Sequence, residues 1–237
     1  MRSVGFSTGA LAYADFHRGL KMLSDAQIKV VEVSALRFAE WLPLVDSIDT
    51  LDLSSFEYIS IHLPSKMNQG EEQVVAASLR QRGNLHYPLI LHPDAISDWQ
   101  VWHEFGDRVC IENMDIRKPI GRTDQELEVI FNKLPRACLC FDIGHAWQVD
   151  STMGEAYWIL KSFKSKLKQI HVSEVNSRSK HDVLSYSTIR SFKQMAHMIP
   201  DDIPLILESP VTQDQMCDEI AKARFALTAV VESELVA

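Results

Sequence analysis

Seven apolar segments of this chain each end in a side chain that can bind a metal ion or move a proton. They read VVEVSA with Glu32, ISIHLP with His62, LILHPD with His92, VCIENMD with Glu112, LCFDIGH with Asp142 and His145, IHVSEV with His171, and LILESP with Glu208. Glu112, Asp142, His171 and Glu208 make a mostly oxygen donor set. It suits Mn²⁺, Mg²⁺, Co²⁺ or Zn²⁺, with room for a bidentate substrate. His62 and His92, with Glu112 as a bridge, make a second, nitrogen-richer set that favours Zn²⁺. His145 and His181 begin a third. Taken singly, a buried histidine or a strand-end glutamate is as readily an ordinary core or ion-paired residue as a ligand. The recurrence at the same end of strand after strand is what points to a site. His17, His86, His103 and His197 fall on helices or loops, where the ordinary reading holds. Glu32 is in phase with the others but equally suited to an ion pair with Arg37 or another barrel residue. Ser173, Asn176, Arg178 and Lys180 read first as a solvated loop, and secondly as a place for a phosphate or hydroxyls.

These residues need an element that brings strand ends together. Strand-like and helix-like segments alternate along the whole chain, which argues a parallel sheet. The expected strands are Val4–Thr8, Val30–Ser34, Tyr58–Leu63, Leu89–His92, Val109–Asn113, Cys138–Asp142, Gln169–Ser173 and Leu205–Glu208. Helices are expected at Asp15–Ser24, Ala39–Ser47, Glu71–Arg82, Asp98–Phe105, Thr123–Lys133, Met153–Phe163, Tyr186–Met198 and Gln213–Phe225, with Thr123 and Glu126 in a capping-box pattern. Eight such units in 237 residues predict an α/β fold, a single-domain (β/α)8 TIM barrel over 1–237. The two-residue strand period puts Ser60 with His62, Cys110 with Glu112, Cys140 with Asp142, Gln169 with His171 and Ile206 with Glu208 on the inner face. In such a barrel the C-terminal strand ends converge on one mouth, where catalytic residues gather.

Composition narrows the partners. The formal charge of −8 disfavours a general nucleic-acid surface. No stretch reaches the roughly 18 apolar residues of a membrane span. The N-terminal run after Arg2 only faintly imitates a signal peptide, because Ser3, Ser7 and Thr8 interrupt it. Cys110, Cys138, Cys140 and Cys217 form no CxxC pair and read as reduced core thiols of a cytoplasmic protein.

The chain resembles the xylose-isomerase-like barrel superfamily, which includes sugar phosphate isomerases and epimerases and the endonuclease IV type of apurinic repair enzyme. The resemblance runs from the first strand to the eighth. It rests on IHLP at His62, LHPD at His92, IENM at Glu112, FDIGH at Asp142 and His145, IHVSE at His171, KHDVLS at His181 and LESP at Glu208. The epimerase branch implies one divalent ion on Glu112, Asp142, His171 and Glu208. There the two glutamates also move protons on either face of the substrate carbon, and His145 touches the substrate. The endonuclease branch implies three zinc ions. His62, His92 and Glu112 would hold one, Glu112, Asp142, His171 and Glu208 the second, and His145, His181 and an Asp two positions before His181 the third. Ser179 stands at that last position, so the third ion needs a substitute such as water or Asp182.

The expected function is a divalent-metal-dependent isomerase or epimerase acting on a small sugar, polyol or sugar phosphate, with catalytic Glu112, Glu208 and His145. Its cofactor would be one to three ions of Zn²⁺ or Mn²⁺. The alternatives are a di- or trinuclear zinc phosphoesterase acting on a phosphate ester, and a non-catalytic metal- or ligand-binding barrel. Short loops without a diagnostic motif leave the substrate, the metal and the oligomeric state open.

Overall fold

In the computed structural model, which describes residues 2–83 and 85–229, eight parallel strands close into a barrel. In chain order the elements are β1 (Val4–Ser7), α1 (Thr8–Ala12), α2 (Phe16–Asp25), β2 (Val30–Ser34), α3 (Phe38–Ser47), β3 (Tyr58–His62), α4 (Glu71–Gln81), β4 (Leu89–Leu91), α5 (Trp99–His103), β5 (Val109–Glu112), α6 (Asp124–Lys133), β6 (Cys138–Asp142), α7 (Ile143–Val149), α8 (Gly154–Phe163), β7 (Leu167–Val172), β8 (Glu174–Val175), β9 (His181–Asp182), α9 (Tyr186–Lys193), β10 (Leu205–Leu207) and α10 (Met216–Leu227). The barrel order is β1-β10-β7-β6-β5-β4-β3-β2, each strand parallel to its neighbours. The predicted TIM barrel is therefore the fold.

The strands form where aliphatic residues run on both faces, and the two faces do different work. Leu139, Phe141, Ile170 and Val172 point outward into the large apolar core beneath the helices. The lumen instead holds a small apolar plug of Ile90, Cys110 and Cys140, with polar side chains above it. One irregularity makes the inner face of β7 polar. Leu139 pairs with Leu167, but Cys140 pairs with Gln169, so Lys168 is an extra residue. Lys168 is exposed, and the bulge returns Gln169 and His171 to the inner side beside Cys140 and Asp142.

Several boundaries differ from expectation. Leu63, His92, Asn113, Ser173 and Glu208 lie just beyond their strands, and Thr8 opens α1. α7 and the antiparallel β8–β9 hairpin were not expected. The α6 capping box is half realised. Glu126 N donates to Thr123 Oγ1 at 3.2 Å, but the Glu126 carboxylate accepts from the Arg122 amide at 2.8 Å and guanidinium at 2.6 Å. Glycine at 144 does not serve a tight turn, since it sits inside α7. A Cβ there would lie 2.4 Å from the Ser173 carbonyl oxygen, so only glycine lets α7 approach β7 this closely. All four cysteines are free thiols, and no helix among the described residues is long and apolar enough to cross a membrane.

Candidate metal centre

Ligand atoms of Glu112, Asp142, His171 and Glu208 all lie within 4.8 Å of one another, at the C-terminal ends of β5, β6, β7 and β10. Each is held by a local device that leaves one atom for the centre. Asp142 Oδ1 caps α7 by accepting from the His145 amide at 2.7 Å. Its Oδ2 has no hydrogen-bond partner among the described residues. Asn113 locks the turn after β5 to β6, donating to the Asp142 carbonyl at 2.8 Å and accepting from the Asp142 amide at 2.7 Å. Glu219 of α10 accepts from Ser209 Oγ at 2.6 Å and fixes the backbone next to Glu208.

His171 is positioned from inside the barrel. Its Nε2 lies 3.0 Å from Glu32 Oε2 and 2.9 Å from Gln169 Nε2; in the tautomer protonated on Nε2 it donates to the Glu32 carboxylate. Its Nδ1 faces Glu112 Oε1 at 3.4 Å and Glu208 Oε2 at 3.5 Å. Glu32 Oε2 also accepts from Gln169 at 2.7 Å and Ser60 at 3.1 Å, and Tyr58 holds Gln169 at 2.8 Å. The ion pair of Glu32 with Arg37 does not form: Arg37 meets Glu40 on α3, whereas Glu32 is fully buried in the lumen.

Glu112 faces two ways. While Oε1 looks toward His171 and His145, Oε2 lies 3.3 Å from His62 Nε2 and 3.2 Å from His92 Nε2. His62 Nδ1 donates to the Leu63 carbonyl at 2.7 Å, which frees its Nε2 as a ligand. His62, His92 and Glu112 thus form the second expected grouping. The third is not assembled in the same way. The His145 and His181 rings stand 5.6 Å apart, and neither residue joins a ligand grouping among the described residues. His145 Nδ1 bonds the Asn113 carbonyl at 2.9 Å, and His181 Nδ1 bonds Ser173 Oγ at 2.7 Å. Ser179 is tied to Gln148, and Asp182 is exposed and bound to Asn176, so Asp182 does not substitute for the missing carboxylate.

The electrostatics pull the groups apart. Burial would raise the Glu112 carboxyl, but His171 and His92 hold it well below the usual range. Burial, together with the neighbouring carboxylates, pushes Glu208 well above its ordinary value. For His171 burial acts downward, yet Cys140 and then Glu208, Glu32 and Glu112 hold it well above. Burial, and then His145, push His181 down to about 4.

Above the centre opens a cavity of about 500 Å³, whose walls include His62, His92, Glu112, His145, His181 and Glu208. Its rim carries Arg117, Lys118 and Lys180, with Tyr13 at the edge. Of the phosphate candidates, Lys180 reaches the cavity. Ser173 instead bonds His181 Nδ1 at 2.7 Å, and Asn176 builds the β8–β9 turn by accepting from the Arg178 and Lys180 amides. Asn113, Arg117 and Lys118 were missed because strand phase says nothing about residues in the turns.

No family model matches the chain, and no curated protein matches it by sequence. Solved structures do share its fold. A xylose isomerase domain protein from Alicyclobacillus acidocaldarius superposes with a TM-score of 0.60 at 12% identity, covering 94% of this chain and 99% of its own. The 3-keto-D-glucoside 4-epimerase of E. coli gives 0.57 at 9% identity, over 94% and 99%. A protein from Anabaena variabilis, assigned as a sugar phosphate isomerase/epimerase, gives 0.55 at 12%, over 93% and 88%. At these identities the likeness is one of fold.

Proposed function

We propose that this chain is a divalent-metal-dependent isomerase or epimerase of a small carbohydrate, with the ion on Glu112, Asp142, His171 and Glu208. One observation carries the reading. Asp142 Oδ2, His171 Nδ1 and Glu208 Oε2 are all buried without a hydrogen-bond partner among the described residues, and all face one point beside Glu112. Burying three such atoms unpaired is costly, and a cation with oxygen and nitrogen preference satisfies all of them. A bound divalent ion supplies Lewis-acid polarisation of a substrate carbonyl.

The chain's own residues supply the rest. Glu112 and Glu208 are two carboxyls in one grouping whose proton affinities are driven in opposite directions. One takes the proton next to the carbonyl and the other returns it. His145 lines the cavity wall and contacts the substrate oxygens. The cavity of about 500 Å³ suits a monosaccharide, and the Arg117, Lys118 and Lys180 rim suits one bearing a phosphate. The named activities of the fold neighbours support the same chemistry.

The test is wash-in of solvent deuterium at the carbon beside the carbonyl, across a panel of keto sugars and their phosphates. Glu112→Gln and Glu208→Gln should each abolish exchange, and full exchange in both variants overturns the mechanism. A second reading, a zinc phosphoesterase, is favoured by the convergence of His62 and His92 on Glu112 Oε2. Elemental analysis of protein purified without a metal-affinity step separates the two. Two zinc ions per chain, with phosphate-ester hydrolysis lost in His62→Ala and His92→Ala, would replace the first reading. A single exchangeable ion supports it.

A further inference from the structure

We infer that the base of the barrel, at the opposite end from the mouth, carries a second binding site for a small phosphate monoester. A cavity of about 350 Å³ opens there between the starts of β1 and β2 and one face of α10. Its walls include Arg2, Lys29, Arg224 and Glu57. Arg2, Lys29 and Glu57 precede β1, β2 and β3, and Arg224 lies on α10, whereas the metal ligands lie at the C-terminal strand ends. Strands of four or five residues separate the two by about 15 Å.

The decisive group is Arg2. Its side chain is 1% exposed. Nη2 donates to the Ile199 carbonyl at 3.0 Å and to Asp201 at 2.8 Å, which fixes the plane of the guanidinium. Nε and Nη1 are buried and have no partner among the described residues. Arg224 Nε is likewise buried and unpartnered. Two guanidiniums with unused donors and the Lys29 ammonium thus share one cavity with a single carboxylate, Glu57. Planar donor forks of this kind match the oxygens of a phosphate. Glu57 can accept from a hydroxyl on the same ligand, and the volume exceeds that of inorganic phosphate alone, so a hydroxylated phosphate monoester fits the lining. The site is independent of the metal centre, so its failure leaves that reading untouched.

The experiment is a titration of the intact metal-loaded protein with inorganic phosphate and with glycerol phosphate, followed by residue-resolved amide NMR. Saturable shifts are expected at Ser3, Val4, Lys29 and Val30, with glycerol phosphate the tighter ligand. Arg2→Gln removes the anchor but also the bond to Ile199, so it risks the fold. Arg224→Gln and Lys29→Gln carry the test instead, each weakening binding about tenfold. The inference is overturned by no saturation at these four residues up to roughly 10 mM ligand. It is equally overturned by affinity that neither variant changes, or by shifts confined to the mouth.

Discussion

Replacing Glu32 with Gln tests whether the buried carboxylate prepares His171 for a metal. Glu32 Oε2 receives three donors, from His171, Gln169 and Ser60. A glutamine that places its carbonyl oxygen there keeps all three, so the barrel should still close. What is lost is the negative charge that fixes the His171 proton on Nε2 and raises the basicity of Nδ1. Removing such a partner of a ligating histidine costs about 10- to 100-fold in metal affinity, or roughly 1.4 to 2.7 kcal/mol. The assay is competition with a chelating dye at fixed pH, for Mn²⁺ and Zn²⁺ in turn. Glu32→Asp retains the charge and should recover part of the loss. Unchanged affinity in Glu32→Gln, within about threefold, with a normal melting transition, would refute the argument that the lumen network serves the metal.

Three further outcomes are expected. Gly144→Ala forces α7 away from the Ser173 carbonyl, should cost about 1–3 kcal/mol by overpacking, and should weaken metal binding because Asp142 and His145 move with α7; thermal melts and the dye competition check both. Glu72→Gln should destabilise the fold by about 3 kcal/mol, read by thermal melts, because the buried Glu72 carboxylate accepts from Trp102 Nε1, the Ser97 and Asp98 amides and Ser97 Oγ, a network that includes none of the candidate metal ligands. Metal removal by chelation should lower the melting temperature reversibly, since an ion at 100 times its Kd contributes about 2.7 kcal/mol; identical melts with and without the ion would count against a bound ion in the folded state.

Much of the fold was legible because the strands are short aliphatic runs with a period of two, each ending in a residue of distinct chemistry. That periodicity placed Glu112, Asp142, His171 and Glu208 on one inner face, and the barrel closure then brought their ligand atoms together. The role of Glu32 was not legible. Phase says that it faces the lumen, but only closure places it across the barrel from His171, 139 residues away. The bulge at Lys168 was hidden for a related reason: it exists only relative to the pairing of β6 with β7. The β8–β9 hairpin has two residues per strand, too few for any period to register, yet it carries His181 to the cavity wall. Gly144 was visible as a glycine but not as a packing contact, because its neighbour, the Ser173 carbonyl just after β7, lies 29 residues further along the chain.

The choice between one ion and two turns on Glu112, whose two oxygens face different histidines. Oε1 belongs with His171, and Oε2 with His62 and His92. The two groupings are not equally in need of a cation. Around Oε2, the His62 Nδ1 proton already serves the Leu63 carbonyl, and the His92 imidazole can donate from Nε2 to the carboxylate. A hydrogen-bonded arrangement therefore satisfies most of that side without metal. Around Oε1, protons do less well. Asp142 Oδ2, His171 Nδ1 and Glu208 Oε2 remain unpartnered even with the Glu208 carboxyl driven toward its protonated form. Buried polar atoms left so are uncommon in folded proteins, and a bound ion is one arrangement that satisfies three of them together. The four-ligand grouping should accordingly fill first and hold its ion more tightly. A second ion, where it binds, should be the first lost to a chelator, and His62→Ala should abolish that weaker site alone.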